Sequence, residues 1–269
     1  MIGLGLSSEK DITLAGLEKI QSCKYIYLEN YTSILPSTTI EKMQELYKKE
    51  IILSQREDVE QQADTMLTQA KDSNVAFLVV GDVFGATTHT DLFIRAQKEN
   101  IQVTVTNNAS ILNAIGNVGL ELYKYGKTTS MVFFEGSWKP RNVYDTLKEN
   151  QSTGAHTLVL LDIKVAESSI ESLKQGIEKK LPPRFMTVNQ GIEQLIELEE
   201  EHKENVISKD TIIVGCARIG SENQKIVAGT IKELQDINFG DPLQCIVIPG
   251  KLHFIEKEIL AHWKISKQL

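Results

Sequence analysis

Residues 75–91 read VAFLVVGDVFGATTHTD. Val75 to Val80 is an unbroken apolar run, closed by Gly81-Asp82. Such a run reads as a strand of a parallel sheet, buried on both faces and ending in a sharp turn. The stretch beyond it is small and polar: Gly85, Ala86, Thr87, Thr88, His89, Thr90, Asp91. In open α/β sheets ligands bind beyond the carboxyl ends of the strands. A carboxylate, glycines and hydroxyls at such an end suit a small polar cofactor. They equally suit a βα turn with Thr as helix N-cap.

Toward the N-terminus, residues 2–6 (IGLGL) read as a short strand turning at Gly5-Leu6. Gly3 and Gly5 match half of a dinucleotide fingerprint, but the third glycine is missing, and a lone GxG is a weak sign of a pyrophosphate site. Asp11 or Thr13 can cap a helix with Ile12, Ala15, Leu17 and Ile20 on its apolar face. Tyr25 to Glu29 reads as a strand. Helices are expected at 38–49 and 57–71, with a short strand at 51–53. Beyond the central stretch a helix is expected at 88–99 and a strand at 101–105. Ser110 to Leu122 reads as helical but carries Gly116 and Gly119, which we assign to close packing. Strands and helices alternate up to this point, as in a doubly wound sheet.

A polar segment around Gly126 places the boundary between an N-terminal lobe, 1–125, and a C-terminal lobe, 126–269. In the second lobe, strands are expected at 129–134, 157–163, 211–217, 225–230 and 243–248. Helices are expected at 142–150, 167–180, 187–203 and 252–264. Close strands with short connections indicate a mixed sheet.

The 269 residues carry a net charge of −7, which argues against a general nucleic-acid binder. Cys23, Cys216 and Cys245 fit neither a metal motif nor a disulfide framework, and so sparse a set suits a reducing compartment. The N-terminus has no signal-peptide pattern, and no run approaches a membrane span. A cytoplasmic protein is expected. The chain has no phosphate loop of the GxxxxGK[ST] type and no GxSxG elbow. His89, His156, His202, His253 and His262 are scattered without metal-ligand spacing, so no metal site is expected. A polar cofactor held by strand ends remains.

Longer motifs then carry a resemblance: GLGL at 3–6, YLENYTS at 27–33, VGDVFGATTHTDL at 80–92 and NASILNAIG at 108–116. In the second half they are HTLVLLDIKV at 156–165, PPRFMTVNQ at 182–190, GCARIGSENQKIVAGT at 215–230 and LHFIE at 252–256. On these, the chain resembles the diphthine synthase family within the tetrapyrrole methylase superfamily, from Gly3 to about Glu258. The resemblance implies a two-lobed α/β fold: an N-terminal doubly wound sheet and a C-terminal mixed-sheet lobe, with the cofactor, S-adenosyl-L-methionine, in the cleft. It implies a homodimer. Leu6, Asp82, Gly85, Ser110, Ile111, Leu161 and Ile219 fall where relatives contact the cofactor. Where relatives have His in a PLH segment, this chain has Pro242-Leu243-Gln244, so Gln244 takes that place. Val83 replaces the usual Pro of the GDP turn.

The substrate implied is the 3-amino-3-carboxypropyl-histidine of translation elongation factor 2, methylated on its amine and, in eukaryotic relatives, also on a carboxylate. No catalytic base is assigned. Asp162 and Glu29 are candidates for stabilising the substrate cation. Trp138-Lys139-Pro140-Arg141 is a candidate loop for docking the factor, since exposed Trp and Arg are typical of interface hot spots.

Overall fold

The computed structural model of the chain describes residues 1–31, 33–55, 59, 63–165 and 181–265. The expected helix at 167–180, and part of that at 57–71, lie outside them. The chain divides into two compact units, Met1–Ala114 with Ile163–Arg184, and Ile115–Asp162 with Phe185–Leu269.

The first unit is built on a four-stranded sheet of β1 (Ile2–Gly3), β2 (Tyr25–Glu29), β3 (Ile52–Ser54) and β4 (Val75–Val79), in the order β1-β4-β2-β3. All its pairings are parallel. Side chains alternate across a strand, and both faces of β2 and β4 are covered. Ile26, Leu28, Ala76 and Leu78 pack with Ile2, Leu4, Ile20, Met43 and Tyr47 on one side. Tyr27, Phe77 and Val79 pack with Tyr31, Met66, Leu67, Leu92 and Ala96 on the other. Two covered faces are why 75–80 is continuously apolar rather than alternating.

Helices Leu14–Ser22, Ile40–Tyr47, Asp64–Asp72 and Thr90–Lys98 flank this sheet in sequence. Thr13 caps the first and Thr39 the second by accepting main-chain N–H bonds. In the first helix the inward residues are Gly16 and Ile20, not Ala15. The strand expected at 101–105 does not form; the Thr104 carbonyl accepts from the Met1 amino group at 2.8 Å, and Thr106, just beyond the segment, makes an isolated bridge with Ile2.

The second unit holds a five-stranded sheet of β5 (Thr129–Met131), β6 (Thr157–Leu161), β9 (Ile212–Ala217), β10 (Lys225–Thr230) and β11 (Gln244–Ile248), in the order β10-β9-β11-β6-β5. The short strands β7 (Ile163–Lys164) and β8 (Arg184–Phe185) form a separate two-stranded sheet. β5 and β6 are parallel, whereas β6, β11, β9 and β10 pair antiparallel, giving the mixed sheet expected from short connections. Helices Asn142–Thr153 and Val188–His202 carry core residues Tyr144, Leu147, Ile192, Leu195 and Leu198. Thr187 and Gln190 close a capping box at the start of the longer one.

The helix read over 110–122 is broken in two. A turn at Ile111–Ala114 tightens to a 3-10 turn at Ile115–Val118, and Gly119 then takes φ +88°. A Cβ there would sit 2.4 Å from Ile259 Cγ1, so this glycine serves close packing.

Candidate cofactor site

The carboxyl end of β4 is the best-defined polar feature of the first unit. Gly5 and Gly81 exchange main-chain hydrogen bonds at 3.2 and 2.7 Å, locking the turns after β1 and β4 together. A Cβ on Gly5, whose φ is +81°, would lie 2.6 Å from Asp11 Cβ. This explains the GxG: the glycine admits a neighbouring segment of the same unit. Asp11 Oδ2 then accepts the N–H groups of Leu6, Ser7 and Ser8 at 3.1, 2.7 and 3.4 Å, which fixes the turn that presents Leu6.

Asp82 follows Gly81 and is half-buried. Its Oδ1 accepts from Asn108 N–H at 2.9 Å and Asn107 Nδ2 at 3.0 Å, and its Oδ2 from Phe84 N–H at 3.3 Å. Asp82 therefore ties the 82–85 turn to the 107–110 segment. Asn108 extends the brace by donating from Nδ2 to the carbonyls of Gly3 and Asp11, both at 3.0 Å. Ser110 is buried, and its Oγ accepts from Leu112 N–H at 3.3 Å, the bond of an N-cap just ahead of Ile111. Gly85 lies directly against it: a Cβ at 85 would be 2.8 Å from Ser110 Oγ. Asp82, Gly85 and Ser110 are thus one cluster, Ile111 adjoins it, and Leu6 is held next to it through Asp11 and Asn108.

His89 lies beneath this loop as a structural residue. It is buried, with Nδ1 3.4 Å from the Val83 carbonyl, Nε2 3.3 Å from Tyr31 Oη and its ring edge-on to Phe77. Burial pushes its pKa below the usual 6.5, partly offset by the bond to Val83. With Nδ1 donating to that carbonyl, Nε2 is left as acceptor for Tyr31.

In the second unit Leu161 ends β6, and Ile219 lies just past the end of β9; both are buried. Gln244 starts β11, paired with Ala217. Its Oε1 accepts from Val188 N–H at 2.8 Å and its Nε2 donates to the Gly240 carbonyl at 2.7 Å. Leu161 and Gln244 stand on the neighbouring strands β6 and β11 of one sheet, and Ile219 just past the end of the next, β9, a juxtaposition not legible in a sequence that separates Leu161 from Gln244 by 83 positions.

The two carboxylates considered for the substrate cation also hold main-chain groups. Asp162 Oδ2 accepts from Phe133 N–H at 3.0 Å and is half-buried. Glu29 is 1% exposed and accepts from Val80 N–H at 3.4 Å. In the 138–141 loop, Trp138 is 55% exposed at the end of a tight turn closed on Glu135. Lys139 and Arg141 are engaged within their own unit, with Glu197 at 2.6 Å and with Asp145 and Glu204 at 2.7 and 3.1 Å.

Sequence reasoning missed a buried ionic cluster in the second unit. Glu256 accepts from Glu121 N–H (3.1 Å), His253 N–H (2.7 Å), Lys124 Nζ (3.0 Å) and His156 Nε2 (3.0 Å). Gly250 N–H donates to His156 Nδ1 at 2.9 Å, which fixes the Nε2–H tautomer. Burial alone would raise the Glu256 carboxyl, but the main-chain N–H groups of His253 and Glu121, with Lys124 and His156, outweigh it and hold it at about 2. This cluster anchors the start of the helix Phe254–His262.

The model of the family described as Tetrapyrrole (Corrin/Porphyrin) Methylases matches residues 1–235. A diphthine methyl ester synthase of Dictyostelium discoideum is 53% identical over 268 residues, covering 99% of this chain and 98% of that protein. The diphthine methyl ester synthase of Bos taurus is 48% identical over 272 residues, covering 99% and 95%. A solved structure of diphthine synthase superposes with a TM-score of 0.84 at 31% identity, covering 100% of this chain and 98% of that one. With its parallel first sheet and mixed second sheet, the chain belongs to the tetrapyrrole methylase family, as a methyltransferase of its diphthine methyl ester synthase branch.

Proposed function

We propose that the chain transfers methyl groups from S-adenosyl-L-methionine to the 3-amino-3-carboxypropyl-histidine of translation elongation factor 2, in diphthamide biosynthesis. The name borne by the relatives supports methylation of a carboxylate as well as of the amine. The observation that carries the reading is the Asp82–Gly85–Ser110 cluster at the carboxyl end of β4, in a chain about half identical to diphthine methyl ester synthases over nearly its full length. We place the protein in the cytosol as a homodimer.

The residues fit such a cofactor. Gly85 lets Ser110 pack directly against the 82–85 turn, where a Cβ would lie 2.8 Å from Ser110 Oγ. Asp82 offers a half-buried carboxylate whose position is fixed by three N–H donors. We assign Leu6, Asp82, Gly85, Ser110, Ile111, Leu161, Ile219 and Gln244 to holding it. When bound, the cofactor supplies a sulfonium methyl group for in-line displacement. The protein's contribution is then alignment, which can supply much of the rate. Asp82 orients. Asp162 is the more accessible of the two carboxylates for a cationic product, since Glu29 is buried. The amine loses its proton to water.

The test uses purified protein, methyl-labelled S-adenosyl-L-methionine, and elongation factor 2 with and without the first-step modification. Label on the modified factor alone is expected, with mass giving the number of methyl groups. Label on both forms, or on neither, overturns the proposal.

A further inference from the structure

Arg218 takes no part in the site as described, yet it is unusually placed. It lies between the end of β9 and Ile219, and it adopts φ +50°, a left-handed conformation uncommon for a residue with a side chain. Its N–H donates to the Leu243 carbonyl at 2.7 Å, extending the pairing of β9 with β11 by one step. Its guanidinium reaches across two loops. Nε donates to the Asn223 carbonyl at 3.1 Å, and Nη1 to the carbonyls of Phe239 and Asp241 at 3.0 and 2.5 Å. Among the described residues it forms no ion pair with a carboxylate, so main-chain carbonyl dipoles are its protein partners.

Those carbonyls flank Gly240, whose own carbonyl accepts from Gln244 Nε2 at 2.7 Å. Gln244 Oε1 in turn receives Val188 N–H at 2.8 Å. A continuous series of bonds therefore runs from Arg218 through the 239–241 turn to Gln244 and the first turn of the helix Val188–His202. Hydrogen bonds from a charged donor are the stronger kind, and a planar guanidinium can hold several carbonyls in fixed geometry where an ammonium cannot. Backbone strain of this kind persists where surrounding structure over-determines it, and it clusters at functional sites.

We propose that Arg218 is a positioning residue: through the 239–241 turn it fixes Gln244, and through its own backbone it fixes Ile219, so that the strand ends of the second unit are set before the cofactor arrives. This rests on the proposed cofactor reading of Ile219 and Gln244.

The test is calorimetry with S-adenosyl-L-homocysteine on the full-length wild type, Arg218→Gly, Arg218→Lys, Gln244→Ala and the Arg218→Gly/Gln244→Ala double variant. Glycine accepts the left-handed backbone without strain, so Arg218→Gly removes the guanidinium while the fold is kept, and a single cooperative melt well above the assay temperature checks that. Arg218→Gly is expected to weaken binding about tenfold, a size typical of residues that act on a site without touching its ligand, with Arg218→Lys partly restoring it. In turnover, KM for the methyl donor should rise while kcat stays near wild type, the mark of lost uniform binding. Because the two residues act in series, the double variant should bind no worse than the weaker single variant. Wild-type affinity in Arg218→Gly, or losses that add in the double variant, overturn the proposal. A wild type that binds no S-adenosyl-L-homocysteine overturns the cofactor reading instead.

Discussion

Replacing Gly85 by Ala tests whether the carboxyl end of β4 is a cofactor cradle. The φ of Gly85 lies outside the left-handed region, so alanine brings no backbone penalty, only volume. The added Cβ would lie 2.8 Å from Ser110 Oγ, 2.9 Å from Ser110 Cβ and 3.3 Å from Asp82 Cβ. Carbon atoms prefer roughly 3.5–4.0 Å, so the two segments must part by about 0.6 Å or more. Ser110 cannot simply rotate away, because its Cβ is in the clash and its Oγ and N–H are held by Leu112 and Asn113. Overpacking of this kind costs about 1–3 kcal/mol. If that cost falls on the ligand-bound geometry, Kd for S-adenosyl-L-homocysteine should rise between about fivefold and a hundredfold. Ser110→Gly removes both clashing atoms, and glycine at an N-cap costs only a few tenths of a kcal/mol. In a Ser110→Gly background the Gly85→Ala change should therefore cost little, so the double variant should bind about as well as Ser110→Gly alone, giving a non-additive cycle. Calorimetry on the four proteins, with thermal melts to confirm folding, measures this. Unchanged affinity in Gly85→Ala, or a double variant weaker than Ser110→Gly by the full Gly85→Ala factor, would refute the reasoning.

Other predictions concern stability and the protein substrate. Glu256→Gln leaves four donors facing an amide that can accept at only one oxygen; a loss of about 2–4 kcal/mol is expected, seen as a melting temperature lower by roughly 5–15 °C. Because the Glu256 carboxyl sits at about 2 instead of 4.5, its contribution is full above pH 4.5 and is lost as pH falls through 2; acid titrations of wild type and Glu256→Gln should differ in that window. His89, held below 6.5, works with the same sign. The unfolded chain binds a proton that the buried ring resists, so stability falls as pH drops below 6.5, and His89→Gln should flatten the dependence of the melting temperature on pH below 6.5. Trp138→Ala should raise KM for modified elongation factor 2 and leave S-adenosyl-L-homocysteine binding unchanged; equal KM values would remove Trp138 from the docking surface. Charge reversal at Lys139 and Arg141 is a poorer probe, because both already hold ion pairs within the unit.

Much of this protein was written locally. The apolar run at 75–80 specified a doubly covered strand, because two buried faces demand apolar residues at both parities. Tyr25–Glu29 and Lys225–Thr230 formed as strands where expected, and Thr187 with Gln190 marked the start of a helix. The motifs around Asp82, Ser110 and Ile219 were sufficient to indicate the family. Other features depended on partners distant in the chain. Whether 101–105 becomes a strand turns on a neighbour to pair with, and the isolated bridge to Ile2 forms just beyond it, at Thr106. Gly119, which follows the broken helix of 110–122, lies against Ile259, a contact far off in the chain. Glu256 reads as one more acidic residue until His156, Lys124 and the N–H groups of Glu121 and His253 converge on it. Arg218 reads as a loop arginine until the 239–241 carbonyls close around it. Sequence by itself determined most of the strands, which strand ends are polar, and what family they belong to, since these follow from burial pattern and turn chemistry within a few residues. Only the tertiary structure decided which strand ends stand side by side and which charges are consumed holding them there, because both depend on contacts separated by up to a hundred residues or more.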